Sequence, residues 1–188
     1  MSATRPPEGA RTEAVGEAAP ASAAPPPLRS PWRLAAHVAH APPPADWRDE
    51  LAQMLGHRPR RLGEWTELAL YGALSCLRAA GEARLPPGAR LRLVSRSGPA
   101  SAQRDALAQL SEGLPMPFAF MQSQPAITLA ALAQALQWQG DAAFMAVRDG
   151  QAFEAQCLRG AGPEGVLLGW VDTGDGGLRS EWKLWRQG

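Results

Sequence analysis

Apolar residues along this chain follow two periodicities, one typical of helices and one typical of strands. The segment TELALYGALSCLRAAG places leucines and Tyr71 three to four residues apart, which predicts a helix that stops at Gly81. Thr66 stands at the start of this segment and is expected to cap the helix. Continuous apolar runs such as GVLLGWVD instead predict buried strands.

From residue 31 onward, these patterns predict the element order β-α-α-β-α-α-β-α-β-β. Strands that alternate with helices are typical of layered α/β domains with a mostly parallel sheet. The last segment, LRSEWKLWR, alternates Leu178, Trp182 and Leu184 with charged residues, so we expect a final antiparallel strand at the sheet edge. The predicted fold class is α/β, with a mixed, mostly parallel sheet and layered helices.

One predicted helix has almost no polar face. It begins at Pro125, which suits the first turn of a helix, and it runs to Trp138. The polar residues that interrupt it are Thr128, Gln134 and Gln137. A helix that is apolar nearly all round is buried on every side. One sheet covers one side, so either other helices of the chain or a second sheet or subunit must cover the other.

Residues 1–30 differ in composition from the rest of the chain. They are rich in Pro and Ala, and they hold too few large apolar groups to offset the entropy of ordering the backbone. They also lack the continuous apolar region of a signal peptide. We therefore expect a disordered tail over residues 1–30 and one domain over residues 31–188.

Charge and composition exclude several classes of protein. The 19 basic and 18 acidic residues give no support to a nucleic-acid partner, and no apolar run approaches the roughly 20 residues of a membrane span. Both cysteines, Cys76 and Cys157, lie in apolar helical segments, which favours a reducing cytoplasm over a disulfide. The three histidines lack metal-ligand spacing. No metal site and no cofactor is predicted.

The order of several segments resembles a known family. These segments are RRLGEWTELALYGALSCLRAAG, LRLVSRSG, LSEGLPMPFAFMQSQPAI, GDAAFMAVRDGQAFEAQCL and GVLLGWVD. Together they resemble the β-ketoacyl synthase-like N-terminal domain family over roughly residues 32–172. Its members are described as chain length factor-like proteins of aryl polyene and related pigment clusters. The resemblance implies a thiolase-like half-domain, one of two similar halves that stack in a complete synthase with helices between their sheets.

The chain departs from this family where the chemistry would lie. Relatives carry Ser-Val-His-Asn-Ala where residues 123–127 read Ser-Gln-Pro-Ala-Ile. The resemblance places the lost nucleophilic cysteine of full synthases at Gly150 or Gln151, and no histidine follows His57. A Claisen condensation needs a thiolate and groups that activate the extender. The resemblance therefore implies no catalytic residue. Gln151 matches the glutamine of polyketide chain length factors, but an ordinary polar helix cap is the favoured interpretation of it.

The leading interpretation is a non-catalytic subunit that forms a heterodimer with a catalytic ketosynthase. It would help to shape the acyl tunnel in a type II polyketide or fatty-acid-like pathway of the aryl polyene type. A small basic patch, made of Arg58, Arg60 and Arg61, is a candidate contact for an acyl carrier protein, or else a solvated linker. Two alternatives stay open. One is a diverged acyl-thioester transferase or hydrolase that uses Cys157 or Ser123, and the other is a stand-alone acyl-carrier or small-molecule binding domain.

In thiolase-like dimers, the strand that leads to the nucleophile pairs with its counterpart across the two-fold axis. The matching segment here is DAAFMAV, residues 141–147, which carries almost no charge. An unpaired apolar edge invites association. The predicted partner interface comprises Ala143, Phe144, Met145, Phe118 and Phe120.

Overall fold

The computed structural model describes residues 31–114, 117–174 and 177–188; the expected tail over residues 1–30 lies outside them. Within these ranges the chain forms five strands and six helices, in the order β1-α1-α2-β2-α3-α4-α5-β3-α6-β4-β5. The strands are β1 (Trp32–His40), β2 (Arg90–Ser95), β3 (Ala142–Ala146), β4 (Val166–Gly174) and β5 (Gly177–Gln187). The helices are α1 (Trp47–Leu55), α2 (Glu64–Ala79), α3 (Ala100–Ser111), α4 (Pro117–Gln122), α5 (Pro125–Ala135) and α6 (Gly150–Arg159).

The five strands form one mixed sheet in the order β1-β5-β4-β2-β3. Strand β2 pairs in parallel with both β3 and β4, whereas β5 pairs antiparallel with both β4 and β1. Four strands therefore run in one direction and β5 runs against them. The predicted class, an α/β fold with a mixed and mostly parallel sheet, is confirmed.

The expected place of the last strand at the sheet edge is wrong. Strand β5 lies between β4 and β1, and β1 pairs with it from Trp32 opposite Gln187 to His40 opposite Ser180. Leu178, Trp182 and Leu184 of β5 pack in the core, where Trp182 is fully buried. Alternation along β5 indicates one buried face, but it carries no information about which strand lies alongside.

The main core lies between one face of the sheet and helices α1, α2 and α5. Helix α2 approaches the sheet closely at Gly72, where an added Cβ would lie 2.2 Å from Ser180 Oγ and 2.3 Å from Trp182 Cδ1. The Trp65 indole on the same helix donates a hydrogen bond to the Val171 carbonyl oxygen of β4 (2.9 Å). These contacts fix α2 on the middle of the sheet.

Two local predictions differ from the structure. Thr66 does not cap α2, because the helix begins at Glu64 and the buried Thr66 side chain lies within its first turn. The Thr66 hydroxyl instead hydrogen bonds to the Thr128 hydroxyl of α5, at 2.6 Å. The predicted order also has two helices between the second and third strands, whereas the structure has three, because residues 117–122 form α4.

The opposite face of the sheet carries a smaller core beneath α6. Phe153 of α6 packs there with Val94 of β2 and with Val166 and Leu168 of β4. The sheet thus has helices on both faces, and β3 forms one edge of it in the described part of the chain.

Candidate functional site

The outer edge of β3 has no strand beside it among the described residues. Asp141 accepts a backbone hydrogen bond from β2, and Val147 donates one to β2. Successive residues of a strand direct their backbone groups to alternate sides, so Ala142, Phe144 and Ala146 direct their N–H and C=O groups to the open edge. Such a row of backbone groups is a template for pairing with another strand.

The side chains of β3 divide between the two faces of the sheet. Phe144 packs inward, with its ring edge-on to that of Trp65 at a centroid distance of 5.7 Å. Ala143 is half-buried, whereas Met145 is 39% exposed and Ala146 is exposed as well. Of the three predicted interface residues on this strand, Met145 therefore offers an exposed side chain, and Phe144 offers its backbone groups.

Helix α4 presents both of the phenylalanines that were predicted to face a partner. Phe120 is 64% exposed, and Phe118 and Met121 are also exposed. The Arg61 guanidinium lies over the Phe118 ring, 5.3 Å from its centroid, which is within cation–π distance. Exposed aromatic side chains beside an arginine are a composition that protein interfaces favour over the rest of the surface.

Helix α5 is apolar nearly all round, yet the described residues cover only part of it. Thr128 and Leu132 are fully buried against α2 and the sheet. On the outer side, Ala126, Ile127 and Ala130 are exposed. The sequence left open whether helices of the same chain or a second sheet or subunit would bury α5. Helices of the same chain bury its inner side. The outer side has no described cover.

Gly150 and Gln151, where the resemblance places the lost nucleophile, begin helix α6. The Asp149 side chain caps this helix by accepting hydrogen bonds from the backbone N–H groups of Gln151 (2.9 Å) and Ala152 (3.2 Å). Both Gly150 and Gln151 line a cavity of about 370 Å³ on the α6 side of the sheet. Gly150 lies against the Trp170 ring, because an added Cβ would come within 2.6 Å of it.

Neither cysteine has the surroundings of an activated thiol. Burial raises the pKa of Cys76 to about 12 and also raises the pKa of Cys157. A raised pKa disfavours the thiolate, which is the nucleophilic form. The Ser123 hydroxyl donates to the Phe120 carbonyl oxygen (2.7 Å) and accepts from the Gln124 amide (3.2 Å). Within the described ranges, no histidine or carboxylate hydrogen bonds to Ser123 or Cys157.

Among residues 31–114, 117–174 and 177–188, no cluster of three or more His, Cys, Asp or Glu side chains is arranged to hold a metal ion. No helix in the same ranges has the length and apolar character that crossing a membrane requires.

No protein-family model and no curated protein sequence matches the chain. Solved structures do match it. One is the ketosynthase ApeO in complex with its chain length factor ApeC from Xenorhabdus doucetiae, with a TM-score of 0.55 and 18% identity over 84% of this chain and 77% of that chain. Another is the ishigamide ketosynthase/chain length factor, with a TM-score of 0.55 and 15% identity over 72% of this chain and 44% of that chain. The chain has the ketosynthase/chain length factor fold.

This ketosynthase/chain length factor fold confirms the thiolase-like α/β class that the resemblance implied. The partner residues and the position of the lost nucleophile stay predictions. Other apolar residues of the same region are exposed as well, and the predicted interface did not include them. These are Leu107, Leu110, Leu114, Met121 and Ile127. The spacing of the three leucines along α3 and just beyond it was the available signal, since residues three and seven apart share a helix face.

Proposed function

We propose that this chain is a non-catalytic, chain length factor-like subunit that pairs with an active ketosynthase in the cytoplasm. The pathway we infer is of the type II polyketide or fatty-acid-like kind, with aryl polyene biosynthesis as its nearest analogue. The observation that carries this proposal is the open edge of β3, flanked by exposed apolar side chains, on a fold shared with ketosynthase/chain length factor complexes.

The exposed apolar side chains on β3, α4 and α5 support the proposal that a partner protein covers this region. Met145 lies on β3, Phe118 and Phe120 lie on α4, and Ile127 lies on α5, which packs against both of those elements. Large apolar side chains that are exposed on adjoining elements are typical of interaction sites. The heterodimer is therefore favoured over a chain that acts alone.

An acyl carrier protein is a second proposed partner, at the basic patch. Arg58 pairs with Asp49, and Arg61 lies over Phe118. Arg60 is exposed and has no ion pair to any described residue. The patch thus adjoins α4, so a carrier protein bound there would lie beside the proposed ketosynthase interface.

The acyl-transfer alternative has less support. Burial raises the pKa of Cys157, and the Ser123 hydroxyl is engaged with the Phe120 carbonyl oxygen. Neither group has a described base beside it, and an oxygen or sulfur nucleophile needs such a base or a lowered pKa.

The test of the heterodimer is co-expression with the ketosynthase encoded beside this chain, followed by size-exclusion chromatography with light scattering. We expect the wild-type chain to elute as a heterodimer, and to self-associate when it is expressed alone. Met145→Lys introduces a charge into the proposed interface, where an unpaired charge is costly, so the dissociation constant should rise about a hundredfold or more.

The matched control is Ala39→Lys, on the opposite edge strand β1, where the side chain is exposed and Lys should leave the complex intact. Both variants should keep the wild-type thermal midpoint, because Met145 and Ala39 are exposed. A wild-type chain that is a clean monomer and ignores the ketosynthase would contradict the partner-subunit proposal. Equal effects of the two lysines would contradict the place of the interface.

A further inference from the structure

The cavity beside α6 lies at the carboxyl ends of two parallel strands. Arg96 directly follows β2, and Arg148 comes two residues after the end of β3. Both line the cavity, together with the first turn of α6 and outward-facing side chains of β4 and β5. In open α/β sheets, ligands bind outside the carboxyl ends of the strands. A volume of about 370 Å³ is within the range of small-molecule sites.

One wall of the cavity is aromatic and held in place by hydrogen bonds. The Trp170 indole donates to Asp172 Oδ2 (2.5 Å). Asp172 Oδ1 accepts from the Ser95 hydroxyl (2.5 Å) and from the Arg96 backbone N–H (2.9 Å). Ser95 is fully buried. Gly150 lets the first turn of α6 lie directly against the indole. The orientation of Trp170 is therefore set before any ligand arrives.

The acidic side chains that line the cavity all have partners. Glu154 pairs with Lys183 Nζ at 2.7 Å, and Glu181 pairs with Arg179 at 2.8 Å. Asp149 accepts from two backbone N–H groups of α6, so this helix N-terminus is already occupied by a carboxylate.

Of the four cationic side chains that line the cavity, Arg179 and Lys183 pair with these acids. The guanidinium groups of Arg96 and Arg148 make no hydrogen bond or ion pair with any described residue, and both residues are exposed. The cavity thus combines apolar side chains, a fixed indole and a lining of four cationic and three acidic side chains, in which Arg96 and Arg148 are the cations without an ion pair to a described residue.

We propose that this cavity binds a small molecule that carries a phosphate group on an aromatic or apolar body. Guanidinium groups offer paired N–H donors that match phosphate oxygens, and two of them suit a dianion better than a single negative charge. The body of the ligand packs against Trp170 and the side chains of Val94 and Leu168. Met145 and Phe120 do not line the cavity, although Met145 lies opposite Val94, which does. The proposal is tested by ligand binding and not by heterodimer formation, so the two proposals can fail separately.

The test is calorimetric titration of the full chain with four probes. Phenyl phosphate supplies both features of the ligand, inorganic phosphate lacks the body, phenol lacks the anion, and benzoate carries a single charge. We expect phenyl phosphate to bind most tightly, inorganic phosphate and benzoate more weakly, and phenol not measurably. Absence of saturable binding of phenyl phosphate up to about 10 mM would overturn the proposal. Tighter binding of benzoate or phenol than of phenyl phosphate would overturn the ligand class.

Variants locate the binding site. The double variant Arg96→Gln with Arg148→Gln should weaken phenyl phosphate binding at least about tenfold, because two charge-assisted contacts are lost. Trp170→Leu should reduce phenyl phosphate binding to the level of inorganic phosphate. Arg159→Gln is the matched control, since Arg159 is exposed in the last turn of α6 and does not line the cavity. Equal affinity of the double variant and this control would overturn the site, provided that both keep the wild-type thermal midpoint.

Discussion

The hydroxyl groups of Thr66 and Thr128 meet at 2.6 Å between α2 and α5, in a contact that is otherwise apolar. Thr66 is 2% exposed, and Thr128 is fully buried. A buried hydroxyl without a partner costs free energy, whereas a buried pair satisfies itself. This hydrogen bond ties the inner side of α5 to α2.

The first prediction at this scale concerns that pair. Thr128→Val leaves the Thr66 hydroxyl buried without its partner, so the free energy of unfolding should fall by about 1–3 kcal/mol. Thr66→Val should likewise leave the Thr128 hydroxyl buried without its partner, and the free energy of unfolding should fall by a similar amount. The double variant removes both hydroxyls at nearly constant shape and should recover much of the loss. Urea denaturation of the four proteins measures the coupling, and additive losses would contradict it.

At the scale of elements, α5 has two unlike sides although its sequence is apolar nearly throughout. Leu132 lies on the inner side and is fully buried, whereas Ile127 lies on the outer side and is 40% exposed. The inner side packs against α2 and the sheet. The outer side is exposed among the described residues, and in the proposed heterodimer the partner subunit would cover it.

The prediction for α5 compares truncations of its two sides. Leu132→Ala leaves a cavity in the core and should lower the free energy of unfolding by about 2–5 kcal/mol. Ile127→Ala should change it by less than about 1 kcal/mol in the isolated chain, because the side chain is already partly solvated. Chemical denaturation at low protein concentration measures both. A large loss in Ile127→Ala would mean that a segment of the same chain outside the described residues covers α5.

The same pair of variants also tests the interface. Ile127→Ala should weaken the complex with the ketosynthase although it barely alters the isolated chain. Leu132→Ala serves as the opposite case, with reduced stability and an unchanged apolar surface. Light scattering of the co-expressed complexes separates the two outcomes.

At the scale of the whole molecule, the chain has the ketosynthase/chain length factor fold but lacks the cysteine and histidines that the resemblance implies for a full synthase. The sequence has no cysteine at residues 150 and 151 and no histidine after His57. Both cysteines have raised pKa values because they are buried. These observations support the proposed subunit role, in which the ketosynthase partner would carry the catalytic groups.

The corresponding prediction is that the purified chain forms no stable acyl-enzyme. Intact-mass measurement after incubation with an activated acyl thioester should show the unmodified mass. Cys157→Ala and Ser123→Ala identify the site if an adduct is seen. A specific adduct that either variant abolishes would favour the acyl-transferase alternative over the partner subunit.

Local pattern in the sequence was sufficient for most elements. The spacing of leucines predicted α2, and the apolar run GVLLGWVD predicted β4, because periodicity reports which face of an element is buried. The near absence of polar residues in α5 predicted that this helix needs to be buried on more than one side. The low charge of residues 141–147 indicated a strand unsuited to solvent, and the structure places that strand at an edge.

Tertiary structure decided what periodicity does not encode. The place of β5 inside the sheet depends on β1, more than a hundred residues away along the chain, which pairs with its far side. The role of Thr66 depends on Thr128 of another helix. The cavity depends on Arg96, Arg148 and Trp170, which follow or lie on three different strands. Strand order and side-chain meetings of this kind arise from contacts between distant segments, and no local pattern of residues specifies them.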